Sequence, residues 1–243
     1  MKQLCVVLLS QVFFFATSLA QDVLVVKDPN AELRPVGGYT GIHVSHAIDV
    51  IIKQGKEQAV VVSAAEPKVR DRIRTEVKDG VLRIWYDPAT TMRWNRDATR
   101  LRAYVSVTEI RSLYATGASN IKVDGILRGE ELKLGLHGAS SFKGEVAYNQ
   151  LNAEQTGASD AHIRGRVANL VVVVSGASDF KGYELVTDLC RATASGASDI
   201  KITVNKDLKA TASGASDIGF RGEGVLSEFR TSGSGSVRKR EQR

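Results

Sequence analysis

A Gly-Ala-Ser tripeptide, or a close variant of it, returns seven times along the second half of this chain at a nearly constant interval. Its glycines are Gly117, Gly138, Gly157, Gly176, Gly196, Gly214 and Gly233, giving steps of 21, 19, 19, 20, 18 and 19 residues. Four copies continue into aspartate, at Asp160, Asp179, Asp199 and Asp217. A period near twenty is too short for two helices with their turns and far too long for a heptad. It matches one coil of a β-solenoid, each turn of chain stacked on the last. The expected fold is all-β: a parallel β-helix or β-solenoid with about 19–20 residues per coil, preceded by a strand-rich lead-in.

Counting each repeat glycine as zero, positions −6, −4 and −2 are aliphatic or small, as in Leu132, Leu134 and Leu136 or Leu170, Val172 and Val174. Polar residues alternate with them, the pattern of a strand with one side inward. At zero the chain needs a corner, and glycine permits backbone angles that a β-carbon blocks. Gly117, Gly138, Gly157, Gly176, Gly196 and Gly214 are therefore read as corner residues, and the alanine after each suits an inward-facing corner. Position +4 is apolar again, in Ile121, Phe142, Phe180, Ile200, Ile218 and Val237, and begins a second strand face.

Stacked coils lie about 4.8 Å apart, so equivalent residues form ladders. The serines from Ser119 to Ser216 can bond neighbouring backbone groups. Two carboxylates about 5 Å apart repel by roughly 0.8 kcal/mol in water, so the aspartate ladder needs compensation. Lys181 and Lys201 stand two residues after Asp179 and Asp199, on the same strand face, and Lys122, Lys143 and His162 hold the same offset in earlier coils. A self-compensating stripe is the favoured reading. The alternative is a calcium-binding solenoid with Asp160, Asp179, Asp199 and Asp217 as oxygen ligands. The nine-residue glycine-aspartate repeat of such proteins is missing, and the lysines oppose a divalent cation. No cofactor is expected.

The remaining chain divides into segments. Residues 1–20 read as a signal peptide, with Lys2, an apolar run from Leu4 to Phe15, and small residues at Ser18 and Ala20 before cleavage at Gln21. Export to the periplasm or cell surface follows, with no later apolar stretch long enough to cross a membrane. Residues 21–35 form a lead-in, 36–107 a strand-rich first part of the solenoid, 108–237 the repeats, and 238–243 a basic tail. Within 36–107, Arg74 to Tyr86 reads as a hairpin turning at Asp79-Gly80, and Val69 to Ile73 allows at most one helical turn. The mature chain keeps one cysteine, Cys190, at the offset where other coils carry Leu132, Leu151, Leu170 and Leu208. It reads as core, not as a nucleophile. The formal charge of +6 is concentrated in the tail, which holds four basic groups and one acid. Such a tail contacts anionic lipid or polysaccharide, or is a frayed end. Nucleic acid is not an expected partner, since the chain reads as exported and carries no basic-aromatic recognition motif. His43 and His46, three apart on a strand, point to opposite faces, which argues against zinc.

The most distinctive segment outside the repeat joins Trp85 and Tyr86 to Arg93, Trp94 and Arg96. Tryptophan stacks on sugar faces and arginine grips carboxylates, so these five residues are a candidate ligand site. The competing reading is a hydrophobic plug over an open end of the core.

These features together resemble the bacterial auto-transporter adhesin, head GIN domain family. The resemblance rests on Ile48-Asp49-Val50 with Gln54-Gly55, on Glu76 to Ile84 around Asp79-Gly80, and on the Gly-Ala-Ser-Asp units from Gly117 onward. It implies an exported all-β solenoid of the bacterial envelope, and it implies no reaction and no catalytic residues. Two function classes follow. One is a non-catalytic, adhesin-like or structural module presenting a rigid face to a glycan or an envelope or host protein, with self-association through an uncapped end. The other is a polysaccharide lyase or hydrolase on a β-helix scaffold. A catalytic site is singular and breaks a repeat, whereas residues recurring in every coil are architecture, so the non-enzymatic class is preferred.

Replacing Trp94 with alanine separates the two readings of that segment. A ligand-binding tryptophan loses glycan binding with little change in melting temperature, and a plug loses thermal stability instead.

Overall fold

In a computed structural model, residues 28–88 and 100–241 are described. Residues 1–20, read as a leader, and the candidate ligand residues Arg93, Trp94 and Arg96 lie outside them. The chain opens with β1 (Glu32–Arg34), β2 (Gly41–Val44), β3 (Asp49–Gln54) and β4 (Ala59–Ser63), then one helical turn, α1 (Pro67–Arg70). β5 (Ile73–Lys78), β6 (Val81–Tyr86), β7 (Arg102–Val107) and β8 (Ser112–Ala115) follow. Five long strands come next: β9 (Asn120–Leu136), β10 (Ser141–Gln155), β11 (Asp160–Val174), β12 (Asp179–Ala194) and β13 (Asp199–Ala212). β14 (Asp217–Arg221), β15 (Val225–Thr231) and β16 (Ser236–Lys239) close the described chain.

All the strands belong to one sheet wound upon itself. β9 to β13 pair in parallel, each with the next. In β11 the inward residues are Ala161, Ile163 and Val167, then Leu170, Val172 and Val174. The alternation slips phase between Val167 and Leu170, where Ala168 and Asn169 both face outward. Each long strand thus has a first arm after the corner and a second arm before the next, and both send side chains into one core.

The corner explains the repeat. Ala158 donates its N–H to the Gly138 carbonyl at 2.7 Å, and Ala177, Ala197 and Ala215 repeat the bond to Gly157, Gly176 and Gly196 at 2.7, 2.8 and 2.7 Å. Gly157 has φ +85°, and a β-carbon there would sit 2.6 Å from the Gly138 oxygen. Both the backbone angle and the room beneath exclude a side chain. The next inward residue is the serine, which caps the corner from inside. Ser159 Oγ donates to the Thr156 carbonyl at 2.9 Å, Ser198 to Ser195 at 2.9 Å and Ser216 to Ser213 at 2.8 Å. The alanines do not face inward as their size suggested. Ala139, Ala158, Ala177, Ala197 and Ala215 are exposed, because side chains two apart share a side and the inward pair is serine with the apolar residue at +4.

The strand-rich first part is already solenoid. β2 pairs in parallel with β8, and β3 with β9, placing Val44 beside Ala115 and Asp49 beside Asn120. The first corner is therefore His46-Ala47-Ile48. His46 and Ala47 take φ of +65° and +57° without a glycine, which is why no tripeptide marks it. One further rung stays parallel, with β6 beside β2 and β7 beside β3, and past it the order turns antiparallel: β4 to β7, β1 to β4, and β5 to β6. The β5–β6 turn has Asp79 and Gly80 both at positive φ, the two-residue hairpin that the sequence announced.

Two features at the far end differ from expectation. Ser227 holds the offset where other coils carry leucine, but a register shift places Leu226 beside Leu208. The basic tail is not frayed at its start, since β16 pairs in parallel with β14 through Lys239.

Alanine at Gly157 should cost about 3 kcal/mol or more, the positive-φ penalty of about 1–2 kcal/mol plus a backbone clash. Alanine at Gly117, where the nearest atom to a β-carbon is 3.5 Å away, should cost only about 1–2 kcal/mol. Urea unfolding of the two variants measures the gap.

Candidate ligand-binding face

The aspartates form one column with their neighbours. The register aligns Asp49, Asn120, Ser141, Asp160, Asp179, Asp199, Asp217 and Ser236. Lys181 bridges Asp160 and lies 3.6 Å from Asp179, and the hydrogen bond that it donates to Asp160 is the main reason its ammonium pKa is raised. Asn120 donates to Asp49 at 2.7 Å, Ser141 to Asn120 at 2.7 Å, and Ser236 to Asp217. Among the described residues no ion pair joins Lys201 to an aspartate, so the compensation seen at Lys181 does not extend to that coil. Among the described residues, no group of three or more histidine, cysteine, aspartate or glutamate side chains is placed to hold a metal ion.

The tryptophan segment is only partly within the described residues. Trp85 is half-buried at the end of β6. Tyr86 is 1 % exposed and belongs to the core, because its strand neighbour Trp85 takes the outward side. Cys190 is also core, and burial pushes its thiol well above the ordinary value, which removes the thiolate that a nucleophile needs.

An aromatic surface that the sequence did not single out lies on the outer side of the second arm. Glu76, Arg83, His43, Tyr114, Gly135, Glu154 and Val173 are aligned across successive strands. A β-carbon on Gly135 would lie 2.6 Å from Tyr114 Cε1, so the missing side chain is what lets the tyrosine ring lie across the neighbouring strand. His43 meets that ring edge-on, with centroids 6.4 Å apart and planes at 69°. The signal in the sequence was a glycine inside a strand, away from any corner.

Grooves run along this face on both sides of the tyrosine. One of about 570 Å³ is walled by Tyr114 with Glu109, Arg111, Glu130, Glu131 and Lys133. A second of about 240 Å³ continues past Tyr114 to Asn152, Glu154, Val171 and Val173. A third, about 260 Å³, lies between His43, His46, Glu76, Arg83 and Trp85. His43 and His46 therefore line one groove and do not point to opposite faces. β2 ends at Val44, and the corner carries His46 back toward the strand's outer side. A flat ring beside amide, carboxylate and ammonium groups is suited to a ligand with one apolar face and hydroxyls at its rim.

The sequence profile of the family described as "Putative auto-transporter adhesin, head GIN domain" matches residues 38–224. Solved structures share the fold. A "putative adhesin" from Bacteroides fragilis NCTC 9343 is 14% identical, covers 86% of this chain and 95% of its own, and superposes with a TM-score of 0.76. A "putative adhesin" from Parabacteroides distasonis ATCC 8503 is 18% identical over 86% of this chain and 95% of its own, with a TM-score of 0.69. A "putative lipid binding protein" from the same organism is 17% identical over 88% of this chain and 98% of its own, with a TM-score of 0.62. At these identities the likeness concerns the fold alone. No curated protein matches the chain.

His43 supplies a pH test of this face. Burial first, then the charges of Arg83 and His137, hold its pKa below the ordinary histidine value. Its Nε2 is buried without a hydrogen-bond partner. A histidine so depressed adds stability above the unfolded value of about 6.5 and loses it as pH falls through the folded value. The urea midpoint of the protein should therefore drop more steeply between pH 7 and pH 5 than that of a His43→Gln variant.

Proposed function

The chain belongs to the auto-transporter adhesin head GIN domain family, and on that premise we propose that it is a non-catalytic, adhesin-like module of the bacterial envelope that holds a glycan on the outer face of its second arm. The observation that carries this reading is the Tyr114 ring laid over Gly135, open to grooves lined with Lys133, Asn152 and Glu154. Sugar rings present C–H groups to an aromatic face and hydroxyls to polar neighbours, and a rigid sheet holds both without an ordering cost at binding.

Export follows from the leader read at residues 1–20. No helix among the described residues is long and apolar enough to cross a membrane. The non-catalytic reading is supported by the placement of the acidic residues. Hydrolysis needs one carboxylate pair whose environments differ, and the aspartates of the repeat recur coil after coil in equivalent places along one column.

The test is a glycan array probed with purified protein, alongside envelope and host matrix proteins. Binding to a glycan is expected, weakened about tenfold or more by Tyr114→Leu, as truncating a central aromatic anchor does, with the melting temperature nearly unchanged. Binding to no glycan would sink the proposal. So would cleavage of an acidic glycan in a turnover assay with calcium present.

A further inference from the structure

The coil from Gly117 to Gly138 is the longest of the repeats, at 21 residues, and its strand β9, with 17 residues, is the longest among the described residues. The register shows where the excess goes. Lys122 lies beside Lys143, but the next aligned pair is Ile126 with Glu145. Two residues more than β10 uses are absorbed between them, with Gly125 at φ +89°. A cleft of about 320 Å³ opens at this bulge, lined by Lys122, Asp124, Lys143, Glu145, His162 and Arg164 among others.

Charge compensation fails in the same two coils. Lys181, in the lysine column, bridges Asp160 and Asp179. For Lys122 and Lys143 the residues two before are Asn120 and Ser141, which are uncharged and hydrogen-bonded to each other. Within the cleft, Glu145 is taken by Arg164 at 3.0 Å, Glu184 lies 3.7 Å from His162, and the Asp124 carboxylate, two residues after Lys122, forms no ion pair with either lysine among the described residues. Among the described residues, neither Lys122 nor Lys143 has an ion pair, and both are exposed. Two ammonium groups on adjacent rungs repel unless an anion sits between them.

We propose that this cleft is a second subsite, on the first arm, that takes the negatively charged group of an acidic sugar unit, with Lys122 and Lys143 as its two cationic contacts. The volume is at the low end for ligand pockets and suits a single monosaccharide unit. Lysine ammoniums act as point charges, so a carboxylate and a sulfate ester both satisfy the chemistry. The proposal rests on the glycan-binding reading above but uses residues on the opposite arm of the strand from Tyr114.

The experiment is calorimetric titration of the purified full chain with trigalacturonate, with a sulfated trisaccharide and with neutral trigalactose. Four proteins are compared: the unchanged chain, Lys122→Gln/Lys143→Gln, Lys122→Arg/Lys143→Arg and Tyr114→Leu. The unchanged chain should bind at least one acidic probe, more weakly as salt rises. The glutamine pair should lose that binding about tenfold or more with an unchanged melting temperature, and the arginine pair should largely keep it. The carboxylated and sulfated arms decide which anion is preferred. Acidic binding that survives in the glutamine pair overturns the proposal, and so does no acidic binding while neutral glycan still binds in a Tyr114-dependent way. Loss of both kinds of binding overturns this proposal and the broader one together.

Discussion

One backbone contact sets the spacing of everything else: the alanine N–H of each corner bonded to the glycine carbonyl of the corner beneath, at 2.7–2.8 Å from Ala158 to Ala215. The bond needs a residue at positive φ with nothing on its α-carbon, because the oxygen below occupies that space. Glycine alone meets both demands without strain. Once the corners are pinned, the coils cannot slip against one another, and a one-residue slip would turn every inward side chain outward. The serine column then closes each corner from inside, and the aliphatic columns meet in a single core.

Pinned corners also decide where chemistry can arise. Equivalent residues stack, so a polar residue repeated in each coil becomes a column whose members compensate one another, as Asp160, Lys181 and Asp179 do. A local departure from the repeat leaves a group uncompensated or a space unfilled. Gly135 leaves room for the Tyr114 ring, and Asn120 and Ser141 leave two lysines without carboxylates. The excess length of β9 opens a cleft beside those same lysines. The scaffold is regular because its corners are, and its two candidate binding surfaces lie where a coil departs from its neighbours.

The two ends are treated differently. At the first coil, antiparallel β1, β4 and β5 end the parallel stacking. At the last coil, Phe229 is aligned with buried Ala210 yet is 61 % exposed, and among the described residues β15 pairs with β13 alone. The charged residues Glu228, Arg230, Arg238 and Lys239 share that rim, and charge on an exposed edge discourages strand addition.

Spacing and composition by themselves determined the coil length, the corner glycines, the serine ladder, the Asp79-Gly80 hairpin and the core role of Cys190. Each of these depends on local backbone preference or on a period that survives from coil to coil. Tertiary structure decided that His46-Ala47-Ile48 is a corner, because a neighbouring coil supports positive φ there without glycine. It decided that the corner alanines face solvent, and which strands of the first part stack on the repeats, β2 on β8 and β3 on β9. It also brought Tyr114, Gly135 and His43 together from three strands. Those meetings depend on register between coils, which hydrogen bonds across roughly twenty residues of intervening chain set, and no local pattern of residue types carries that information.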